Sequence, residues 1–371
     1  MAPRLPVISR LAMACRPRNL YSRLLQLPLE LIFIIAKFLS PVDLVLLAQT
    51  SRSLRAIFQN QASATKLSST EYLSFLAGLV RDKPEEWVCE NCMTLHPIVK
   101  RDTPAAENHV SSCPYRHVPP SWLHQSGAAS TNTYRREIRD CRDFFGKKVR
   151  HDTRLCFSQI RIEHRHIQLA LKYTRLQERK YNSYLRALLK PYQDKSFKRR
   201  NGSQLKTHYS AHPKIVASHD GNPRFLLLST WRYHRGRENI TFDEIGRLKI
   251  CPHIELDPRP PGFSRYPTLA LRESNKRALQ EAMESALETQ ENRQEKTGAC
   301  ARCATDFSVQ LGCRFLDLYV WQDFGPEGSP VDLAWETQRC GLGFDGVPNL
   351  WSQGPALHHE PGSIRKLYEE Q

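Results

Sequence analysis

The sequence predicts an α+β chain: a short three-helix module, then a mixed domain of helices and antiparallel strands, with zinc as a candidate clip. Three observations carry that expectation. Apolar residues recur at helical spacing from Leu25 to Phe58 and are interrupted twice by capping signals. Strand-like runs appear at Arg224–Tyr233, Leu248–Cys251, Thr305–Gln310 and Phe315–Trp321. Two C-x-x-C pairs, Cys89/Cys92 and Cys300/Cys303, stand far apart in the chain, each with histidine or cysteine within reach.

In chain order, residues 1–22 read as a basic tail. Arg4, Arg10, Arg16 and Arg18 are met by no acid before Glu30, and Pro3, Pro6 and Pro17 disfavour an amphipathic transit helix. The three-helix module is expected over 23–62. Pro28 suits a first helical turn, and Leu31, Ile34, Ile35 and Phe38 fall on one stripe. Ser40-Pro41-Val42-Asp43 has the form of a capping box opening a second helix with Leu44, Leu47 and Ala48 on its buried face. Thr50 or Ser51 opens a third, carrying Leu54, Ile57 and Phe58. Three short helices cannot bury all these side chains among themselves, so some face a partner or the rest of the chain.

This order of residues resembles the F-box, the module that plugs a receptor into a cullin-type ubiquitin ligase. The resemblance implies that Leu27, Pro28, Glu30, Ile32, Ile35, Leu39, Asp43 and Leu44 contact a Skp-type adaptor. It further implies a cullin scaffold beyond the adaptor and an unknown protein target for the remainder of the chain.

Residues 63–125 are expected to hold a helix over Ser69–Leu79 and the first cysteine cluster, and 126–371 a receptor-like α+β domain. Within the latter, Val149–Ile162 alternates like a strand and Ile160–Leu189 is helical. Asp194–His219 is polar and reads as loop, Pro258–Pro267 as a proline-rich connection, and Leu269–Lys296 as an amphipathic helix. The segment after Gly341 is a Gly/Pro-rich tail.

A tetrahedral zinc site needs four thiolate or imidazole ligands, and each C-x-x-C turn supplies two. The first pair is completed by His109 and Cys113, which stand i, i+4, with His96 the alternative to His109. The second set is Cys251, His253, Cys300 and Cys303, since Cys-Pro-His offers two ligands at the end of a strand; Cys313 is also near. The competing reading is small buried thiols in a reduced protein. Eleven cysteines without a secretory signal place the chain in the cytosol or nucleus. The resemblance widens here to fungal F-box proteins with the same layout. Cys89-Glu-Asn-Cys92 followed by Leu95-His96-Pro97, Cys251-Pro252-His253, Cys300-Ala-Arg-Cys303 followed by Thr305-Asp306-Phe307, Val320–Gly325 and Pro361–Arg365 all match that group. Cys113 stands alone where the group carries a second pair.

The net charge of +16 is concentrated: Arg135–Arg200 holds 20 Lys plus Arg against 7 Asp plus Glu. With Tyr173, Tyr181, Tyr184 and Tyr192 interleaved, that block makes zinc-assisted nucleic-acid binding the alternative function. Its histidines, His151, His164 and His166, read as solvated. An F-box protein acting outside ubiquitin transfer is a further alternative. Catalysis is not expected, because no G-x-S-x-G, phosphate loop or H-E-x-x-H occurs. A membrane span is not expected either: the most apolar stretch, Ile32–Leu47, is broken by Lys37, Pro41 and Asp43.

Overall fold

The computed structural model describes residues 22–90, 92–104, 160, 162–197, 205–218, 220–234, 240–246, 248–256, 270–288, 295–338 and 356–370. The expected basic tail, the Val149–Ile162 strand except at its end, most of the basic block before 160, and the proline-rich connection lie outside these residues.

The chain opens with a 3-10 turn, Arg23–Gln26, and three helices: α1 (Leu29–Lys37), α2 (Pro41–Thr50) and α3 (Arg52–Ala64). The capping signals act where the sequence puts them. Ser40 accepts a hydrogen bond from the Asp43 amide at 3.1 Å with Pro41 at the first helical position, and Ser51 accepts from the Leu54 amide at 3.1 Å. Ile32, Ala48, Leu54 and Phe58 form a small core between them. Helix α4 (Ser69–Val80) follows, opened by a reciprocal Ser68–Glu71 capping box. It packs on α2 so closely that a Cβ on Gly78 would come within 2.5 Å of Leu46.

The other face of α4 seats the module on the main body. Leu73, Leu76 and Val80 pack with Val88 and Met93 of a two-stranded hairpin, β1 (Glu86–Cys89) and β2 (Thr94–Pro97). Two helices come next, α5 (His164–Leu176) and α6 (Asn182–Leu188). Then an antiparallel sheet assembles in the order β3-β4-β5-β10-β9-β8. Its strands are β3 (Tyr192–Phe197), β4 (Thr207–Ala217), β5 (Pro223–His234), β8 (Lys296–Ala299), β9 (Thr305–Leu311) and β10 (Phe315–Pro326). Between β5 and β8 lie a short helix α7 (Phe242–Ile245), a small ladder of β6 (Leu248–Lys249) with β7 (Glu255–Leu256), and helix α8 (Ala270–Glu288). Helices α9 (Leu333–Glu336) and α10 (Ser363–Glu369) complete the described chain.

The main core lies on one face of the sheet. Tyr209, Leu227, Trp231, Leu318, Phe307 and Val309 pack there against α5 and against Leu279 and Met283 of α8. On the opposite face a smaller cluster of Val216, Leu226, Ala304, Trp321 and Ile364 lies under α10.

The architecture is the expected α+β class, with three corrections. Asp194–His219 is not a loop: β3 and β4 occupy most of it. Tyr209 and Ala211 bury inward while His208, Ser210, His212 and Lys214 alternate on the half-covered face, so average polarity hides a strand. Pro213 lies past the last β4 residue paired with β3, where β4 has an open edge. The long helix is described over Ala270–Glu288, and Lys296 is not its end but the start of β8.

The third correction concerns α5. His164 and His166 are not solvated: every residue from His164 to Tyr173 is buried. Arg165, Gln168 and Lys172 of this helix find partners inside the chain, as burial demands. Lys172, fully buried, donates to the carbonyls of Val80, Lys83 and Glu86 at 2.8, 3.0 and 2.9 Å. These three acceptors run from the C-terminus of α4 into β1, and one buried ammonium gathers them. Burial lowers its pKa to about 8. Gln168 accepts from the Val88 amide. Arg165 pairs with Asp102 at 2.7 Å and with Glu163.

Candidate functional site

Three surfaces or clusters carry chemistry. The first is the outer face of the N-terminal module. Helix α1 is apolar at nearly every position, so its spacing alone does not say which side turns inward. The structure turns Ile32 in, at 3% exposure, and the stripe of Leu31, Ile34, Ile35 and Phe38 out. Phe38 is 85% exposed, and Leu27 and Leu29 are exposed as well. Of the residues that the resemblance points to, Leu27, Pro28, Glu30, Ile35 and Asp43 are exposed, and Leu39 and Leu44 are half-buried. Ile32 is enclosed by Ala48, Leu54 and Phe58 and offers no surface; that position is corrected to core. Leu44 also leans on this core. Folded chains seldom leave a helical stripe of four large apolar side chains in water unless a partner covers it.

The second feature is the β1–β2 hairpin. Cys89 ends β1 and pairs in register with Thr94. The turn between them closes with a hydrogen bond from the Met93 amide to the Cys89 carbonyl at 2.9 Å, and Met93 takes a left-handed φ of 52° to allow it. The turn brings the thiols of Cys89 and Cys92 and the imidazole of His96 within 4.8 Å of one another. Cys92 Sγ lies 2.9 Å from His96 Nε2. Its pKa falls to about 4, first through a hydrogen bond from the Cys89 thiol, against the opposing effect of burial. His96, the alternative to His109, is thus in the cluster; His109 and Cys113 lie outside the described residues.

The third feature joins two segments nearly fifty residues apart. The bend after β6 presents Cys251 and His253, and the loop from β8 to β9 presents Cys300 and Cys303. All four donor atoms lie within 4.8 Å of one another. Every expected ligand of this set is present, whereas Cys313 is exposed beyond the end of β9 and takes no part in the cluster. Backbone amides point at the sulfurs. Those of His253 and Ile254 approach Cys251 Sγ at 3.4 and 3.2 Å, and that of Arg302 approaches Cys300 Sγ at 3.4 Å. Such donors favour a thiolate. The thiol of Cys300 is held far below its ordinary pKa, first by the Cys251 hydrogen bond, while burial pushes Cys251 and Cys303 up. Neighbouring thiols sharing protons in a buried pocket form a ligand set that becomes fully ionised when a cation enters. Both Cys/His clusters have the composition and closeness to hold a metal ion.

One residue with no assigned role in the sequence ties two segments together. Asp306, the second residue of β9, accepts from His359 at 3.0 Å and from the amides of Gly362, Ile364 and Arg365 at 3.1, 2.8 and 3.0 Å. The Thr-Asp-Phe and Pro-Gly-Ser-Ile-Arg stretches, separate motifs in sequence, are two halves of this contact. Their joint occurrence was the only signal available.

The central basic region also changes meaning. Tyr173, Tyr181 and Tyr184 are buried, with Tyr173 and Tyr181 stacked on each other at 4.6 Å between centroids. Arg165 and Lys172 are spent on internal partners, and Arg175 is paired with Glu327 and Asp82. Over the described part of the block, these tyrosines and cations do not form a base-stacking surface.

In comparison with known proteins, a family model for the F-box domain matches residues 24–65. Those residues are an F-box domain, a module typical of SCF ubiquitin ligase receptors that binds Skp-type adaptors and is generally non-catalytic. No curated protein and no solved structure matches the chain. Among the described residues no helix is long and apolar enough to cross a membrane.

Proposed function

We propose that this protein is the substrate-recognition subunit of an SCF-type cullin ubiquitin ligase. The F-box would bind the Skp-type adaptor, the adaptor would recruit the cullin scaffold, and the body from β1 onward would hold a protein target. The observation that carries this reading is the outward stripe of α1, Leu31, Ile34, Ile35 and Phe38, on a module whose own core is already filled by Ile32, Ala48, Leu54 and Phe58. Burying that stripe on an adaptor removes apolar surface from water at about 25 cal/mol per Å². Rate enhancement would come from proximity: the chain fixes the target beside a ubiquitin-loaded enzyme, and none of its residues makes or breaks a bond. The cytosol or nucleus, the reducing compartments that a cysteine-rich chain without a secretory signal suits, would be the place of this work. The whole-chain layout resembles that of fungal F-box proteins, which supports the same reading.

We assign zinc to the two clusters. Their donors are thiols and imidazoles without a carboxylate, the soft-to-borderline set that zinc prefers. Zinc–sulfur bonds of about 2.3 Å place tetrahedral ligands about 3.8 Å apart, which the observed 4.8 Å bound admits. In the first cluster His109 or Cys113 would supply the fourth ligand. Zinc there would be structural, tying the hairpin that seats α4.

The test is adaptor pull-down. Leu31→Asp with Ile35→Asp abolishes capture of Skp-type adaptor and cullin while circular dichroism and thermal unfolding stay unchanged. Capture at the wild-type level by the folded double variant sinks the receptor reading.

A further inference from the structure

The Cys251/His253/Cys300/Cys303 cluster sits at the base of a second construction that its own ligands do not explain. The loop carrying Cys300 and Cys303 is tied to the C-terminal segment 356–370 at two points. At one the Leu357 amide donates to the carbonyl of Arg302, between the two cysteines, at 2.9 Å. At the other, Asp306, three residues past Cys303, receives His359 and three amides from the start of α10. Asp306 is 2% exposed, and burial opposes its charge while these donors keep its pKa down.

The rest of the segment covers the sheet. Ile364 packs on Val216, Leu226, Ala304 and Trp321. The Arg365 guanidinium lies 4.9 Å over the Trp321 ring. Lys214 donates to the Tyr368 carbonyl at 2.8 Å, and the Tyr368 hydroxyl donates to the His212 carbonyl at 3.1 Å. Behind the loop, Gln338 donates to the Ala304 carbonyl and Gln322 to the Ile250 carbonyl, with a 3.1 Å bond between the two amides. The loop therefore sits between two anchored bodies, and its shape decides where the Arg302 carbonyl and the Asp306 carboxylate point.

We propose that zinc at Cys251, His253, Cys300 and Cys303 latches the C-terminal segment 356–370 onto the sheet. This rests on reading those four donors as a zinc site. With the ion in place, the loop is cross-linked to the 251–253 bend and presents both acceptors in fixed positions. Without it, close buried thiols lose their common partner and the loop is free to rearrange. Leu357 and the first turn of α10 then lose the acceptors that orient them, and the apolar strip of Val216, Leu226 and Trp321 loses its cover. Linkage makes the coupling reciprocal: a docked segment that satisfies Asp306 and Arg302 holds the loop in its metal-ready shape, so docking raises zinc affinity by the factor that zinc raises docking.

The experiment uses the full chain with Cys89→Ser and Cys92→Ser, so that elemental analysis reports the second site alone; one zinc per chain is expected. Hydrogen exchange is then followed before and after stripping with a chelator. Amides of 362–370 exchange roughly tenfold faster without zinc, while those of α5 do not change. Asp306→Asn produces the same acceleration with zinc still bound, and weakens zinc in chelator competition by a similar factor. Zinc bound, with exchange in 362–370 unmoved by stripping or by Asp306→Asn, overturns the latch and leaves the zinc reading intact. A chain purified with no zinc overturns both. Acceleration spread equally through α5 overturns the latch as well, since it marks global loosening.

Discussion

Helices α1 and α5 invert the usual rule. The first is almost wholly apolar and turns Leu31, Ile34, Ile35 and Phe38 to solvent; the second carries His, Arg, Gln and Lys and is buried from His164 to Tyr173. What separates them is where partners are found. Arg165, Gln168 and Lys172 of α5 each meet an acceptor or donor inside the chain, so these long polar side chains are buried with partners. The apolar stripe of α1 has no such inner surface, because three short helices enclose only one small core. A buried polar helix of this kind defines the interior of a fold, and an exposed apolar one defines an interface.

The comparison breaks first, and most heavily, at the buried charges. Asp102→Ala leaves Arg165 without one carboxylate in the interior and should cost about 3–5 kcal/mol, read as a shift in the denaturant midpoint. A shift near zero would mean that α5 tolerates unpaired charge and that the contrast with α1 is superficial. On the other side, Ile32→Ala removes core volume and should cost about 2–5 kcal/mol. Leu31→Ala, one residue earlier and exposed, should leave stability within about 0.5 kcal/mol yet weaken adaptor capture. Equal losses in both variants would contradict the inward and outward assignment of α1.

Acid sharpens the same contrast. The Glu163 amide donates to His166 Nδ1 at 3.1 Å, so that nitrogen holds a lone pair and the proton sits on Nε2, 3.3 Å from Asp102. Burial, with Arg165 beside it, lowers the pKa of His166 below its ordinary 6.5. As pH falls through 6.5 the unfolded chain therefore binds a proton that the folded chain refuses, and stability declines. For Asp102, burial alone would raise the pKa, but His166 and Arg165 hold it well below the ordinary 3.8. Its contribution is complete above that value and is lost as pH falls below it. Unfolding midpoints measured from pH 7 to 3 should thus drop in two stages, and the upper stage should vanish in His166→Gln. A local effect is expected at the linker: Ser68→Ala removes the cap of α4 and should cost about 1 kcal/mol, seen as faster exchange in its first turn.

Local chemistry was legible in the sequence and long-range chemistry was not. Ser40-Pro41 and Ser51 mark helix starts because a cap acts within three residues. The adjacent β9 and β10 could be read from alternation, and Cys251/His253 with Cys300/Cys303 from ligand type. Strand β4 escaped because its outer residues are polar on a half-covered face. The burial of His164 and His166 is hidden in the sequence because their partners, Trp335 and Asp102 respectively, lie far away along the chain. The inward side of α1 escaped because a helix apolar at nearly every position carries little phase. Asp306 escaped because its partners begin more than fifty residues later.

The contact between Gly78 and Leu46 bears on how this protein can be recombined. Residues 24–65 form a family module, but one of its leucines fills a notch cut in the helix that follows. A chimera carrying another F-box must bring a side chain of leucine size to that notch or remake the notch itself. The unit of exchange is therefore the module together with α4, so a graft should cross at the Thr–Lys–Leu stretch of 65–67 only if Gly78 travels with its leucine.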